Sequence, residues 1–501
     1  MTSRRSLTPV GRESSSNDHR TIEPRVVALA PMPPEKAAYA LARYSRSPDS
    51  IESSLRWVFD HSAEKFWEQF YFDYGHASIA DLGHAVVCFE NISELAAIHV
   101  EDERVWDGQA KSSRYQDFAK LGYVVPDDLG EAENATFHTA ADGLFAAYRE
   151  LFPPIEELVR RANPRPTEMK DAVYARNVAA RAFDVVRYVL PLAVPTNVGQ
   201  VVSIRTLEKQ IGHLLAAPYA EVRALGGRLR DTCAEPPLDL WNDLDGSPSR
   251  ADRAPLAPTL ARHARANEYW QKAYALLERI AAEELRLAEI APAPLVDLVP
   301  EHPLEVEIAA TLLYRVSHYP YRQILDIVSG WSEAKRREVV EAALAERGRE
   351  ELLPELQSGY GLIFDVLMDV GGWRDLHRHR RCQQVRQPFT FAHGYEVPRA
   401  IGEAGVEAAY RAAMDGAASA SRRLTPTSAA YLVPFGHRMR CLFKMDFAEV
   451  EYVSRLRSGV KGHFSYRQVA WEMKQALAGR HRWLADRIDA TPPWVEDSLK
   501  R

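Results

Sequence analysis

The chain has 501 residues, with 46% hydrophobic and 26% charged side chains; that is the length of about three average domains or two large ones. Such a composition excludes a wholly disordered, collagen-like or coiled-coil chain. Sixty-three basic against 69 acidic side chains leave a net charge of −6, which sets aside a protein that holds long nucleic acid by counterion release.

Residues 1–24 are too polar to pack and read as a disordered tail. Arg4-Arg5 is followed by a serine run and acidic residues, not by the apolar stretch of an export signal. Arg25 to Ala30 reads as a short buried strand. A helix is predicted from about Glu35, with Pro34 in its first turn and Ala37, Ala38, Leu41 and Tyr44 on one face. Trp57, Phe66, Trp67, Phe70, Tyr71 and Phe72 form an aromatic stripe that reads as helix-packing core. The most apolar stretch, Val185 to Val202, contains Arg187, Pro191 and Pro195, so it falls short of the roughly 20 uncharged residues of a membrane span. Asn242 to Pro258 has a linker composition, and Leu260 to Glu289 is strongly helical. Cys88, Cys233, Cys382 and Cys441 are scattered, without CxxC spacing; they offer neither a disulfide framework nor a ribbon-type metal site, and a reduced, cytoplasmic setting is expected.

The opening pattern then recurs. Val296 to Pro300 is the strand, Pro303 the helix starter, and Ala309, Ala310, Leu313 and Tyr314 the apolar face; Pro33 matches Pro303 and Tyr44 matches Tyr314, each 270 residues further on. A second match pairs Arg187-Tyr188-Val189-Leu190-Pro191-Leu192 with Ala430-Tyr431-Leu432-Val433-Pro434-Phe435 at an offset of 243. An internal duplication accounts for this order. The copies are expected at 25–245 and 293–490, with a linker and bridging helix at 246–292 and a tail at 491–501. Each copy mixes long amphipathic helices with short strands, so the class is α+β, with short mixed or antiparallel sheets.

The most unusual local sequence is Arg374-Asp375-Leu376-His377-Arg378-His379-Arg380-Arg381-Cys382-Gln383-Gln384. Its arginines repel one another unless carboxylates or a bound anion neutralise them. A solvated helix face paired with carboxylates is one reading. A histidine metal site is poor, because His377 and His379 diverge on a helix, and no metal is expected. A phosphate or pyrophosphate site suits the guanidinium forks. Cys382 among cations invites a nucleophile, yet a buried structural thiol is the better reading.

Arg378-His379-Arg380 resembles the start of the signature of flavin-dependent thymidylate synthases. That signature continues with Ser, Asn, Ser and Arg at its sixth, eighth, eleventh and thirteenth places. Copy 2 has Gln383, Val385, Pro388 and Thr390 there, so its second half is lost. Copy 1 begins Asp102-Glu103-Arg104 in the same register and ends with Gln109, Ser112 and Arg114-Tyr115; it has lost the start and kept the end. Gly75-His76-Ala77-Ser78 resembles the family's flavin-proximal His-x-Ser. Arg187 before Val-Leu-Pro resembles its nucleotide-binding arginine, where copy 2 has Ala430; Arg457 resembles the late-helix arginine beside the uracil ring, where copy 1 has Leu214. Arg205 matches a flavin contact.

In that family each nucleotide site is shared between two subunits. Copy 2 keeps Arg378 and Arg457, and copy 1 keeps Ser112, Arg114 and Arg187, so the resemblance implies one composite site per chain across a pseudo-twofold interface. The reciprocal pairing, with Leu214, Pro388, Thr390 and Ala430, would be dead. The implied roles are Ser112, Arg114, Arg187 and Arg378 for the nucleotide, and Arg457 as the catalytic arginine stabilising charge on the ring. Arg378, His379, Arg380, His76, Ser78 and Arg205 would hold FAD. The implied reaction is C5 methylation of dUMP or a related uridylate, with methylenetetrahydrofolate and NADPH as co-substrates. The family's acidic residue within the signature corresponds to Ala110, and a glutamine before it to Asp375, so another uridylate such as UMP, or hydroxymethylation, stays open. The family works as a homotetramer, which implies a homodimer of this duplicated chain. The alternative is a degenerate nucleotide- or flavin-binding relative without turnover.

Overall fold

The repeated strand-and-helix pattern folds as two small antiparallel sheets set among helices. The computed structural model describes residues 27–29, 31–47, 50–73, 77–114, 116–239, 253–285, 289–348 and 352–497. The first sheet contains β1 (His84–Ser93), β2 (Asp107–Ala110) and β3 (Pro195–Ser203) in the order β1-β3-β2. The second contains β4 (Val296–Leu298), β5 (Leu362–Asp369), β6 (Gln383–Arg386) and β7 (Arg438–Met445) in the order β4-β5-β7-β6. The second is the first plus an edge strand, and the registers agree. Ser93 pairs with Pro195 and Asp107 with Val201, just as Asp369 pairs with Arg438 and Gln383 with Lys444. The copies differ at a bulge in β1 between Phe89 and Ile92, where Asn91 takes a φ of 56°. The protein is therefore α+β and rich in helix.

Helix starts repeat as faithfully. Ser93 caps the Glu94–Glu101 helix and Asp369 caps Val370–Leu376; Ser203 caps Ile204–Leu215 and Asp446 caps Phe447–Arg457. In each case the last polar side chain of the strand segment accepts a backbone N–H in the helix's first turn, satisfying a donor that has no partner within the helix.

The two halves meet at the repeated Leu-Pro segments. Leu192 N–H donates to Val433 O, and Phe435 N–H to Leu190 O; Ala193 N–H donates to Tyr431 O, and Gly436 N–H to Tyr188 O. Pro191 and Pro434 bridge at the centre. Each contact has its mirror, as a twofold interface requires. The core crosses this line: Leu144, Tyr148 and Leu151 of the Glu131–Ala162 helix share one buried cluster with Tyr410, Met414 and Ala417 of Glu407–Ser421.

Several sequence expectations need correction. Val27–Leu29 are not a strand, and Val27 and Leu29 are about 40% exposed; their counterpart Val296–Leu298 does pair, with β5. The Pro34–Tyr44 helix buries Glu35, Ala38, Ala40 and Ala42 and turns Tyr44 outward. The reason is Glu35, whose carboxylate accepts from Thr259 N–H, Thr259 Oγ1 and Leu260 N–H at 2.8, 2.8 and 3.1 Å, so it faces inward to hold the next helix start. The bridging stretch is two helices, Pro258–His263 and Glu268–Glu284, because Asn267 caps the second and breaks the run. In the aromatic stripe Phe66 and Trp67 are buried, but Trp57 is exposed. The linker expected at 242–258 lies mostly outside the described residues. Among the described residues no helix is long and apolar enough to cross a membrane.

Candidate active site

β2 of the first copy runs directly into Lys111, Ser112, Ser113 and Arg114. Arg187 ends the Asp171–Val186 helix, just before the Leu-Pro crossing. On the other side of the pseudo-twofold, the Val370–Leu376 helix carries Gly371, Arg374 and Asp375, and Arg378 follows it. These residues, with Glu101 and Ala110, line one cleft. Sequence-predicted Ser112, Arg114, Arg187 and Arg378 are thus brought together from both copies.

The cleft is cationic, with Lys111, Arg114, Arg187, Arg374 and Arg378 set against Glu101 and Asp375. Arg187 is 2% exposed. Its Nη1 donates to Ser113 Oγ at 3.1 Å and its Nη2 to Gly371 O at 3.4 Å, with Asp375 3.7 Å away. Ser113 also accepts from Arg374 Nη1 at 3.4 Å. Behind it Arg374 Nε meets Glu94 at 2.5 Å; burial pushes the Glu94 carboxyl up to about 7 against the pull of Arg374. Ser112 turns its hydroxyl to the Arg114 N–H, at 3.3 Å.

Arg114 is differently placed from a free phosphate fork. Its Nε and Nη2 grip the fully buried Asp184 at 2.7 and 3.2 Å, while Nη1 donates to Tyr466 Oη at 3.1 Å and Nη2 to Lys461 O at 3.3 Å. Most of its donors are therefore committed within the protein. Tyr466 joins this group to the second copy's arginine, since its ring lies 5.9 Å from the Arg114 guanidinium and 5.8 Å from that of Arg457. The adjacent Arg467 is structural, its guanidinium donating to Ser458 O and Val495 O.

Arg457 Nε donates to His379 Nε2 at 2.8 Å, and His379 Nδ1 lies 3.1 Å from Glu449 Oε1. Both ring nitrogens of His379 are thus used within the protein, and it is 5% exposed. Arg378 and Arg380 extend along β2 of the other copy: Arg378 Nη1 donates to Gln109 at 2.9 Å, and Arg380 Nη2 to Asp107 at 3.3 Å with its guanidinium 5.1 Å from the Trp106 ring. The exposed fork of Arg378 and the buried Arg380 Nη1, which has no hydrogen-bond partner among the described residues, are donors suited to a dinucleotide's phosphates. Ser78 and Arg205 are elsewhere. Ser78 is exposed on the Ala77–Leu82 turn of helix, where Asp81 pairs with Arg205 at 3.1 Å, and neither residue lines the cleft. His76 lies outside the described residues. Cys382 is buried with its Sγ 3.0 Å from His379 O, and burial pushes the thiol far up, so it is no thiolate.

The reciprocal position is closed. Asp102, in the place of Arg378, meets Arg386 Nη2 at 2.7 Å and His377 Nε2 at 3.0 Å. Burial disfavours its charge, but Arg386 and His377 outweigh that and hold it well below the usual carboxylate range. Leu214 and Ala430 are each 1% exposed. Of the residues missed from sequence, Asp184 had a signal: a single charge in Ala182-Phe183-Asp184-Val185-Val186 needs a buried partner. Ser113 and Glu449 had none.

A family model described as thymidylate synthase complementing protein matches residues 27–235 and again 295–481. A UPF0159 protein of Chlamydia muridarum is 29% identical over 434 residues, covering 84% of this chain and 79% of its own. A UPF0159 protein of Thermoplasma acidophilum is 26% identical over 494 residues, covering 89% and 93%. Among solved structures, the flavin-dependent thymidylate synthase of Helicobacter pylori complexed with FAD and dUMP has 16% identity and a TM-score of 0.27, over 40% of this chain and 89% of that one. A UMP/dUMP methylase, PolB from Streptomyces cacaoi, has the same identity and TM-score, over 46% and 88%. With both halves of its sequence matched by one family model, the chain belongs to the thymidylate synthase complementing protein family, in a tandemly duplicated form.

Proposed function

We propose that the protein is a flavin-dependent methyltransferase that methylates C5 of a uridylate, dUMP or a close relative, at one composite site per chain. The observation that carries this is the single cleft in which Ser112, Arg114 and Arg187 of one copy meet Arg378 of the other, with Arg457 linked to it through Tyr466. Arg187, the Ser112-Ser113 hydroxyls and Arg378 would take the nucleotide phosphate. Arg114, held by Asp184, forms a fixed cationic wall. Arg457, beside the base, would stabilise negative charge as C5 becomes nucleophilic, from a partly buried position where that charge is poorly screened. Arg378 and Arg380 would hold the phosphates of FAD, and the surface carrying Ser78 and Arg205 the rest of it, in a homodimer. Bound flavin supplies hydride, with methylenetetrahydrofolate as carbon donor and NADPH as reductant.

The test is the visible spectrum of the purified protein during titration with dUMP. A flavin spectrum that shifts and saturates at one dUMP per chain is expected. A flavin spectrum indifferent to dUMP removes this substrate, and no flavin after reconstitution with FAD removes the redox reaction. A second reading, binding without turnover, draws on Ala110 and Asp375 at places where the family has other residues; dUMP-dependent NADPH oxidation with methylenetetrahydrofolate excludes it.

A further inference from the structure

Arg457 is the last residue of the Phe447–Arg457 helix, where a long side chain would ordinarily sample many rotamers. Here its Nε donates to His379 Nε2 at 2.8 Å, and its terminal amino groups make no hydrogen bond among the described residues. Accepting from an arginine requires a lone pair on Nε2, so the imidazole proton sits on Nδ1 and is donated to Glu449 Oε1 at 3.1 Å. One tautomer satisfies both bonds. His379 and Glu449 are 5% and 3% exposed, and the Glu449 N–H is tied to the Asp446 cap at 2.9 Å, so the backbone that carries the orienting carboxylate is fixed. Among the described residues, His379 also meets the edge of the Tyr452 ring, 5.5 Å away, and Cys382 and Gln384, which bond its backbone oxygen.

We propose that Glu449 and His379 form a positioning relay that holds the Arg457 guanidinium with both amino groups presented to the pyrimidine ring, a role that rests on the nucleotide site proposed above. His379 acts through Arg457, not on the flavin. The duplication provides an independent observation. At the corresponding places the other copy has Glu103, Thr206 and Leu214, so the histidine, its orienting carboxylate and the arginine are each replaced there, and Glu103 instead meets His213 Nδ1 at 2.7 Å. Thr206 and Glu449 occupy the same capped turn after Ser203 and Asp446, yet only Glu449 faces a histidine.

The experiment compares His379→Gln, whose amide oxygen can replace Nε2 as acceptor, with His379→Asn, which is too short to reach Arg457. FAD affinity and the dUMP-induced flavin shift are read on full-length protein whose folding is checked by thermal melting. His379→Asn is expected to bind FAD as wild type does and to weaken the dUMP response by about 10- to 100-fold, the loss of one charge-assisted hydrogen bond. His379→Gln is expected to restore it to within about threefold. Glu449→Gln, which still accepts from Nδ1–H, should resemble wild type, and Glu449→Ala should resemble His379→Asn. Equal loss of FAD binding in both His379 variants would make His379 a flavin ligand and overturn the relay, as would a wild-type dUMP response in His379→Asn. If wild type itself ignores dUMP, the nucleotide reading fails on its own. The relay is then judged by ¹⁵N NMR of labelled histidine: a neutral His379 protonated on Nδ1 upholds it, and protonation on Nε2 overturns it.

Discussion

Replacing Arg114 separates its structural from its binding role. Asp184 is fully buried and paired through two guanidinium hydrogen bonds at 2.7 and 3.2 Å. Arg114→Ala leaves that carboxylate without its cation. Breaking a buried pair from one side costs about 3–5 kcal/mol, because the remaining charge, already stripped of water, loses its counterion. The Tyr466 and Lys461 contacts disappear as well, so a loss of about 4 kcal/mol is expected, a large part of the roughly 5–15 kcal/mol that stabilises a typical domain. Removing both charges is different: Arg114→Met with Asp184→Leu fills similar volume without a stranded ion and should return to within about 1–2 kcal/mol of wild type. Urea unfolding read as the midpoint at constant slope measures both, and a dUMP titration of the flavin spectrum measures binding. The double variant should be stable yet fail to respond to dUMP. An Arg114→Ala variant less than about 1 kcal/mol destabilised would refute the buried pair, and wild-type dUMP binding by the double variant would refute Arg114 as a wall of the nucleotide site.

Arg378 gives the opposite contrast. It is exposed and, among the described residues, hydrogen-bonded to Gln109 alone, so Arg378→Ala should change stability by less than about 1 kcal/mol while abolishing the dUMP-induced shift. Asp365→Asn weakens a buried cluster in which Asp365 meets Arg440, Tyr314 and the Tyr321 N–H at 2.8–2.9 Å; a loss of about 3 kcal/mol is expected by urea melt, with the cleft unaffected. Acid should destabilise the fold through His99 and His437. Burial holds each down at about 3, with Arg386 adding to the effect on His99. The unfolded chain takes up these protons below about pH 6.5 and the folded one does not, so stability is lost as pH falls from there. Each histidine contributes about 2 kcal/mol of loss by pH 5, and His437→Phe should remove its share of the fall between pH 7 and 5. Calorimetric titration should return one nucleotide per chain, since Asp102 and Arg386 close the second position; two would show that position to be open.

The duplication and the sorting of arginines between the copies were legible in the sequence, because each depends on spacing along the chain or on a residue present in one copy and absent from the other. The spacing also marked Leu190-Pro191 and Val433-Pro434, whose mirrored hydrogen bonds make the central contact. Burial decided what spacing could not. Val27–Leu29 has the apolar pattern of a strand and is not one, and Glu35 rotates its helix inward to hold another helix start. In the cleft, Arg114 finds its carboxylate 70 residues away and its tyrosine 352 residues away. A local pattern records which side chains share a face. Which carboxylate neutralises which guanidinium, and which arginine keeps donors for a ligand, is set by desolvation among segments that only the tertiary fold brings together.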